Sequence, residues 1–198
     1  MPKIIDHDQR RRDIVQVAKK LILHGGFEAA TMRSIASEAG FANGALKHYF
    51  PGKDSIVAAT FQQVLEEMYG SQPPAPEGAS AVDELRLYLE ASLPLDQHRI
   101  TSGRVLLALW EYAMSNAELA ELYRGHLENW KSQLIEILGR ARRERTVRTK
   151  DTDEQIANEI ISVTIGSAVM SLMYPGGDRI PDYRSYIDVL LRRLAASG

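Results

Sequence analysis

The chain has 198 residues, 44% of them hydrophobic and 25% charged, an ordinary globular composition with length for one or two domains. It has no cysteine, which excludes disulfides and thiolate metal sites, and no uninterrupted apolar run approaches the roughly 18 residues expected of a membrane span. The net charge of −2 hides an asymmetry: residues 1–55 hold nine Lys/Arg against six Asp/Glu, a net +3, leaving −5 for residues 56–198. A basic end on an acidic body suits a chain that meets nucleic acid at one end. The N-terminal MPKIIDHDQRRR lacks the apolar stretch of a secretory signal, so a soluble, cytoplasmic protein is expected.

Arg10, Arg11 and Arg12 lead into a helix whose inner face is Ile14, Val17, Ala18, Leu21 and Ile22. Cations at a helix start oppose the macrodipole, so the triplet points to a phosphate partner as well as to a solvated helix end. Gly25-Gly26 stops the helix, and Phe27 is expected to pack back under the bundle. Met32, Ile35, Ala36 and Ala39 then form one apolar stripe, with Thr31 placed to cap it and Gly40 placed to end it. A second short stripe runs through Leu46, Tyr49 and Phe50. Two short helices joined by a Gly-containing turn match the helix-turn-helix of DNA-binding proteins. With that second stripe inward, Asn43, Gly44, Lys47 and His48 face outward as a small, polar, basic strip suited to a major groove. After Pro51-Gly52 a new helix starts near Lys53, whose ammonium beside free N–H groups would clamp a phosphate.

Ile56, Ala59, Thr60, Gln63, Val64 and Glu67 mark this helix as a connector running to about residue 69, and the Pro-, Gly- and Ser-rich residues 70–80 read as a loop. Further helices are expected over 81–95, 103–114, 116–145, 152–174 and 181–196, the second apolar enough to be buried on several faces. No stretch alternates like a strand and no repeat is present, so the chain reads as all-α with about nine helices. Trp110, Tyr112, Met114, Trp130, Met170 and Met173 could together line an apolar cavity between helices, although each taken alone is more readily core filling. His98, His126 and Glu128 lack metal-ligand spacing, so neither a metal nor any other cofactor is expected. No nucleophile elbow, P-loop or zincin motif appears, which disfavours an enzyme. Small Gly166, Ser167 and Ala168 permit close helix approach, either within the chain or between two copies.

Residues 10–65 resemble the N-terminal DNA-binding domain of the TetR family of transcriptional regulators. The motif words are G-F-x-x-x-T at 26–31, I-A-x-x-A-G-F at 35–41, N-G-A-L-x-H-Y-F at 43–50 and K-D-S-I at 53–56. The resemblance implies a helix-turn-helix domain over 1–55 and a helical effector-binding and dimerisation domain over 56–198. It places Asn43, Gly44, Lys47 and His48 nearest the bases, with Arg10, Arg11, Arg12, Thr31, Tyr49 and Lys53 on the backbone. Two positions depart from the family pattern. Lys47 stands where a tyrosine is usual, and Ala42 stands where Ser or Thr usually caps the recognition helix, so Asn43 would cap one residue later. The stretch LWEYAMSNAELAELYRGHLENW resembles the choline-responsive, BetI-like branch, implying a small cationic ligand held by aromatics and an acid such as Glu111. The resemblance also favours a homodimer formed through about 152–174 and 181–196. The implied function is a ligand-responsive repressor of a pseudo-palindromic operator. A DNA-binding regulator without an effector and a helical enzyme are the alternatives.

Overall fold

Local chemistry sets where the helices begin and end. The computed structural model describes residues 7–42, 44–67, 76 and 78–196, and within them the chain forms eight α-helices, one 3₁₀ turn and no strand. The order is α1 (His7–Ala29), α2 (Met32–Glu38), the 3₁₀ turn Ala45–His48, α3 (Lys53–Leu65), α4 (Ala81–Ser92), α5 (Gln97–Ala113), α6 (Ala117–Arg143), α7 (Asp153–Met173) and α8 (Ile180–Ala195). Thr31, Ser80 and Thr152 each accept a hydrogen bond from the backbone N–H three residues on, and residues Ser34, Asp83 and Gln155 bond back. Gly40, at φ 73°, lets the Phe41 N–H close on the Ala36 carbonyl at 2.8 Å and ends α2.

The described residues divide into two compact units. The first joins the residues up to Glu67 to Val105–Leu122, the end of α5 and the start of α6. Position 55, where the sequence reading divides the chain, lies inside α3. Buried in this unit are Ile14, Val15, Ala18 and Ile22 of α1, Ile35 and Ala36 of α2, Leu46 and Phe50, and Ile56, Val57, Phe61 and Val64 of α3. Charged groups tie the helices at their edges. Lys20 pairs with Glu38 at 2.8 Å, while Glu67 receives Lys19, Gln16 and Gln63.

The second unit has one core, built by α4, α6, α7 and α8. Leu85 and Leu89, Trp130, Leu134, Leu138 and Ala141, Ile156, Ala157 and Ile160, and Ile187, Leu190 and Leu194 meet there. Arg86–Asp188 at 2.8 Å, Arg193–Glu159 at 2.5 Å and the Arg140–Glu84 pair rim it. Arg142 closes the α6–α7 connection, donating to the Asp153 carboxylate and to the carbonyls of Thr149 and Asp151. Burial pushes the Tyr186 phenol up to about 12, with Glu159 adding to the effect.

Helices α5 and α7 show what the local pattern leaves open. Helix α5 begins at Gln97, not 103, because the Asp96 carboxylate accepts the Arg99 N–H at 2.8 Å and caps it. Its buried residues Ile100, Ser102, Gly103, Val105, Leu109 and Ala113 lie on more than one face, with Trp110 exposed. Helix α7 buries Ile156, Ile160, Thr164, Ser167 and Ser171, while Val163 is half-buried and Met170 exposed. It is apolar all round, with a mean hydropathy of 1.5, enough by length and composition to cross a membrane, so periodicity there carries no information about sides.

Deleting a buried side chain from the second core should cost several times more than a surface change. Leu134→Ala is expected to lose about 2–5 kcal/mol and Ser132→Ala almost nothing, read by urea unfolding. The Glu67 cluster predicts a pH dependence. Burial alone would raise this carboxyl, but bonds from Lys19, Gln63 and Gln16 outweigh it and hold it below its ordinary value. A depressed carboxylate stabilises the fold above the unfolded value and loses that contribution as pH falls through the folded one. Glu67→Gln should therefore destabilise at pH 7, and its deficit against the native chain should fade as both are acidified. A deficit of the same size at every pH would contradict the pairing.

Candidate nucleic-acid interface

The second half of the helix-turn-helix is a short element. Phe50 precedes Pro51, which disfavours helical backbone at Phe50 and so limits the turn from its far end. At its near end the N-cap is Gly44, at φ 97° and with no capping side chain of its own. Asn43, expected to cap and to read bases, lies outside the described residues. The four residues between these limits close as a 3₁₀ turn, with Lys47 N–H on the Gly44 carbonyl at 3.2 Å and Tyr49 N–H on that of Leu46 at 3.0 Å.

Burial sorts the turn into two sides. Leu46 is 2% exposed and Phe50 1%, whereas Ala42, Gly44, Lys47 and His48 are open to solvent. Tyr49 is half-buried, its ring edge-on to Phe41 at 5.4 Å and 5.0 Å from the His7 ring. Thr31 is exposed, but its hydroxyl is engaged with Ser34 in the cap of α2.

Two of the three arginines, Arg10 and Arg11, are seated on this aromatic group. The Arg11 guanidinium lies 4.1 Å from the Phe50 ring centroid and donates to the Tyr49 carbonyl. Arg10 lies 5.7 Å from the Phe41 ring, and Arg12 donates to Gln9 at 2.8 Å. The sequence reading missed the first two contacts, although aromatics at 41, 49 and 50 facing a run of arginines were the available signal. Lys53 is also turned toward the protein. Its ammonium sits 3.4 Å from the Phe27 ring centroid and donates to the Phe27 carbonyl at 3.2 Å. Burial against the ring lowers its pKa, opposed by the charges of Glu28 and Asp54.

Phe27 itself does not go beneath the bundle. Gly26, at φ 69° and ψ −176°, breaks α1 and sends Phe27 sideways onto Tyr112, the rings stacking 3.8 Å apart and 18° from parallel. A half-open groove of about 370 Å³ lies alongside, lined by residues including Phe27, Glu28, Glu111 and Tyr112.

The expected ligand contacts divide between the units, with Trp110, Glu111 and Met114 in the first and Trp130, Met170 and Met173 in the second. Trp130 is buried. The other five are exposed in the single chain, Met114 by 82% and Met173 by 73%. No group of three or more His, Cys, Asp and Glu residues with metal-site geometry occurs among the described residues.

Comparison with known proteins decides the family. Residues 14–60 match the bacterial regulatory proteins of the tetR family, and residues 81–196 match the BetI-type transcriptional repressor C-terminal domain. The chain belongs to the TetR family. It is a transcriptional regulator of the BetI-like branch and not an enzyme. It is 31% identical over 136 residues to the regulator BetI of Stenotrophomonas maltophilia, covering 68% of this chain and 69% of that protein. It is 27% identical over 177 residues to the regulator PksA of Bacillus subtilis, covering 88% and 84%. Among solved structures, a transcriptional regulator from Saccharomonospora viridis in complex with choline superposes with a TM-score of 0.80 at 20% identity, covering 93% of this chain and 96% of that one. A regulator from Rhodococcus sp. Rha1 gives the same TM-score and identity over 95% and 99%. At these identities the two structures bear on the fold alone.

Proposed function

We propose that this TetR-family regulator acts in the cytoplasm as a homodimeric repressor, released from a pseudo-palindromic operator by a small organic cation. The observation that carries the DNA part is the sorting of the 3₁₀ turn, with Leu46 and Phe50 buried and Gly44, Lys47 and His48 presented together to solvent. These residues, with Asn43, would approach base edges. Arg10, Arg11, Arg12, Thr31, Tyr49 and Lys53 would face the backbone, within a reading domain over residues 1–55. Lys47 is an exposed point charge and would meet a phosphate. Duplex selection from a random pool should enrich a two-fold symmetric sequence, and Lys47→Ala should reduce the salt slope of binding by about 1 for each lysine lost. No enrichment over repeated rounds would end the operator reading.

For the effector, support comes from the BetI-type match over residues 81–196 and from the choline-bound structural neighbour. A quaternary ammonium ion is attracted to aromatic faces and to carboxylates, and Trp110, Glu111, Met114, Trp130, Met170 and Met173 are the proposed contacts in an effector domain over 56–198. Choline is the probe to use first. A ligand at 100 times its Kd stabilises a protein by about 2.7 kcal/mol, so millimolar choline should raise the melting temperature and weaken operator binding together. A shift without any effect on DNA would separate ligand binding from regulation.

The dimer reading rests on α7 and α8. Val169, Met170, Leu172 and Met173 on α7 and Val189 on α8 are large apolar side chains exposed in the single chain. Such a face suits a two-fold partner using the same two helices. Met173→Asp should shift the chain toward monomer in analytical ultracentrifugation, with little change in helix content. A native chain that sediments as a monomer at micromolar concentration would exclude this assembly.

A further inference from the structure

Lys53 opens α3 where a phosphate contact is expected of it, yet its ammonium is engaged inside the first unit. The groups around it come from three places in the sequence. Phe27 supplies a ring 3.4 Å from the ammonium and an acceptor carbonyl. Tyr112, near the end of α5, stacks on that ring and lies 5.9 Å from the same ammonium. The Tyr112 hydroxyl reaches the next residue of α3, donating to Asp54 Oδ1 at 2.7 Å, and receives Asn116 Nδ2 at 3.5 Å. One side chain of α5 thus fixes both the surface on which Lys53 rests and the residue beside it.

We propose that Tyr112 is a positioning residue for DNA binding, which holds Lys53 on Phe27 and thereby withholds one backbone-phosphate contact from the helix-turn-helix domain. The inference rests on the DNA-binding reading above. Lysine is a compact charge on a flexible four-carbon stem, so the same ammonium can serve the ring and carbonyl or swing out to a phosphate. A Tyr112 ring stacked on Phe27 and hydrogen-bonded at its far end to Asp54 makes the seat harder to displace than Phe27 alone. With Tyr112 in place the internal seat of Lys53 is complete. When the end of α5 moves, that seat loses its support and the charge is released to the surface. Burial lowers the pKa of this ammonium, and the carboxylates of Glu28 and Asp54 oppose that shift. Helix α5 therefore gains control over one phosphate contact through a residue 58 positions beyond Asp54 in sequence.

The test is the salt dependence of binding to one duplex enriched by the native protein, measured by fluorescence anisotropy on the full-length chain. A merely structural role for Tyr112 would weaken binding without adding a counterion. Tyr112→Ala should instead steepen the slope of log K against log salt by about 1 for each chain bound, and adding Lys53→Ala should remove that gain. An unchanged or shallower slope in Tyr112→Ala, or a gain that survives loss of Lys53, would overturn the proposal. If Tyr112→Ala does not fold, Tyr112→Phe carries the test, because it keeps the stacked ring and loses only the hydroxyl's bonds to Asp54 and Asn116. A steeper slope in that variant supports the seat, and an unchanged slope rejects it. Native protein without salt-dependent binding to any duplex would remove the DNA-binding reading as well, an outcome distinct from a normal native slope that Tyr112 leaves untouched.

Discussion

A single 3₁₀ turn has too few internal hydrogen bonds to hold itself in water, since helix nucleation is unfavourable until several turns have formed. The burial of Leu46 and Phe50 is therefore what gives Gly44, Lys47 and His48 a fixed direction. The surrounding architecture serves that burial. Helices α1 and α3 supply most of the apolar surface, Thr31 and Gly40 fix the length of α2, and Pro51 limits where the turn can continue. The guanidinium of Arg11 on the Phe50 ring closes the same cluster from outside. Affinity groups and packing groups are here partly the same residues, so the arginine triplet cannot be treated as a loose polycation.

The positions that were legible in the sequence share a physical property: their evidence is local. A threonine before an apolar stripe, a glycine after it and a three-four spacing of large apolar residues each act within one or two turns. These gave α2, α6, α7 and α8 to within a residue or two at their ends, and with the motif words they gave the family. Where local evidence was ambiguous, tertiary structure chose. The polar start of α5 hid a cap at Asp96, and the uniformly apolar α7 could not show which of its sides turns inward. The direction of a long flexible side chain was least legible. Lys53 and Arg10 carry charges that local rules send to solvent or to phosphate, and both rest on aromatic rings brought there by the fold.

Helix α7 illustrates how a composition that looks excessive for one chain can be informative. Its buried stripe contains Thr164, Ser167 and Ser171, whereas several of its largest apolar residues face outward. The hydroxyls of Ser167 and Ser171 turn back to carbonyls of their own helix, so they enter the core without needing a distant partner. The exposed Val169, Met170, Leu172 and Met173 leave apolar surface on this helix that the proposed dimer would cover.

Gly26 gives the Tyr112 contact an unusual vulnerability. At φ 69° and ψ −176° its backbone lies in a region open almost only to glycine, although no atom stands within 4 Å of the place a Cβ would occupy. The obstacle to substitution is thus torsional and not steric crowding. Any other residue favours a continuous α1, which would carry Phe27 away from Tyr112 and leave Lys53 without its ring. The link between the end of α5 and the DNA-binding end of the chain accordingly hangs on a position with no side chain to tune. Sequence drift there has one permitted state, and adjustments of the link's strength must arise at Phe27, Lys53 or Tyr112 instead.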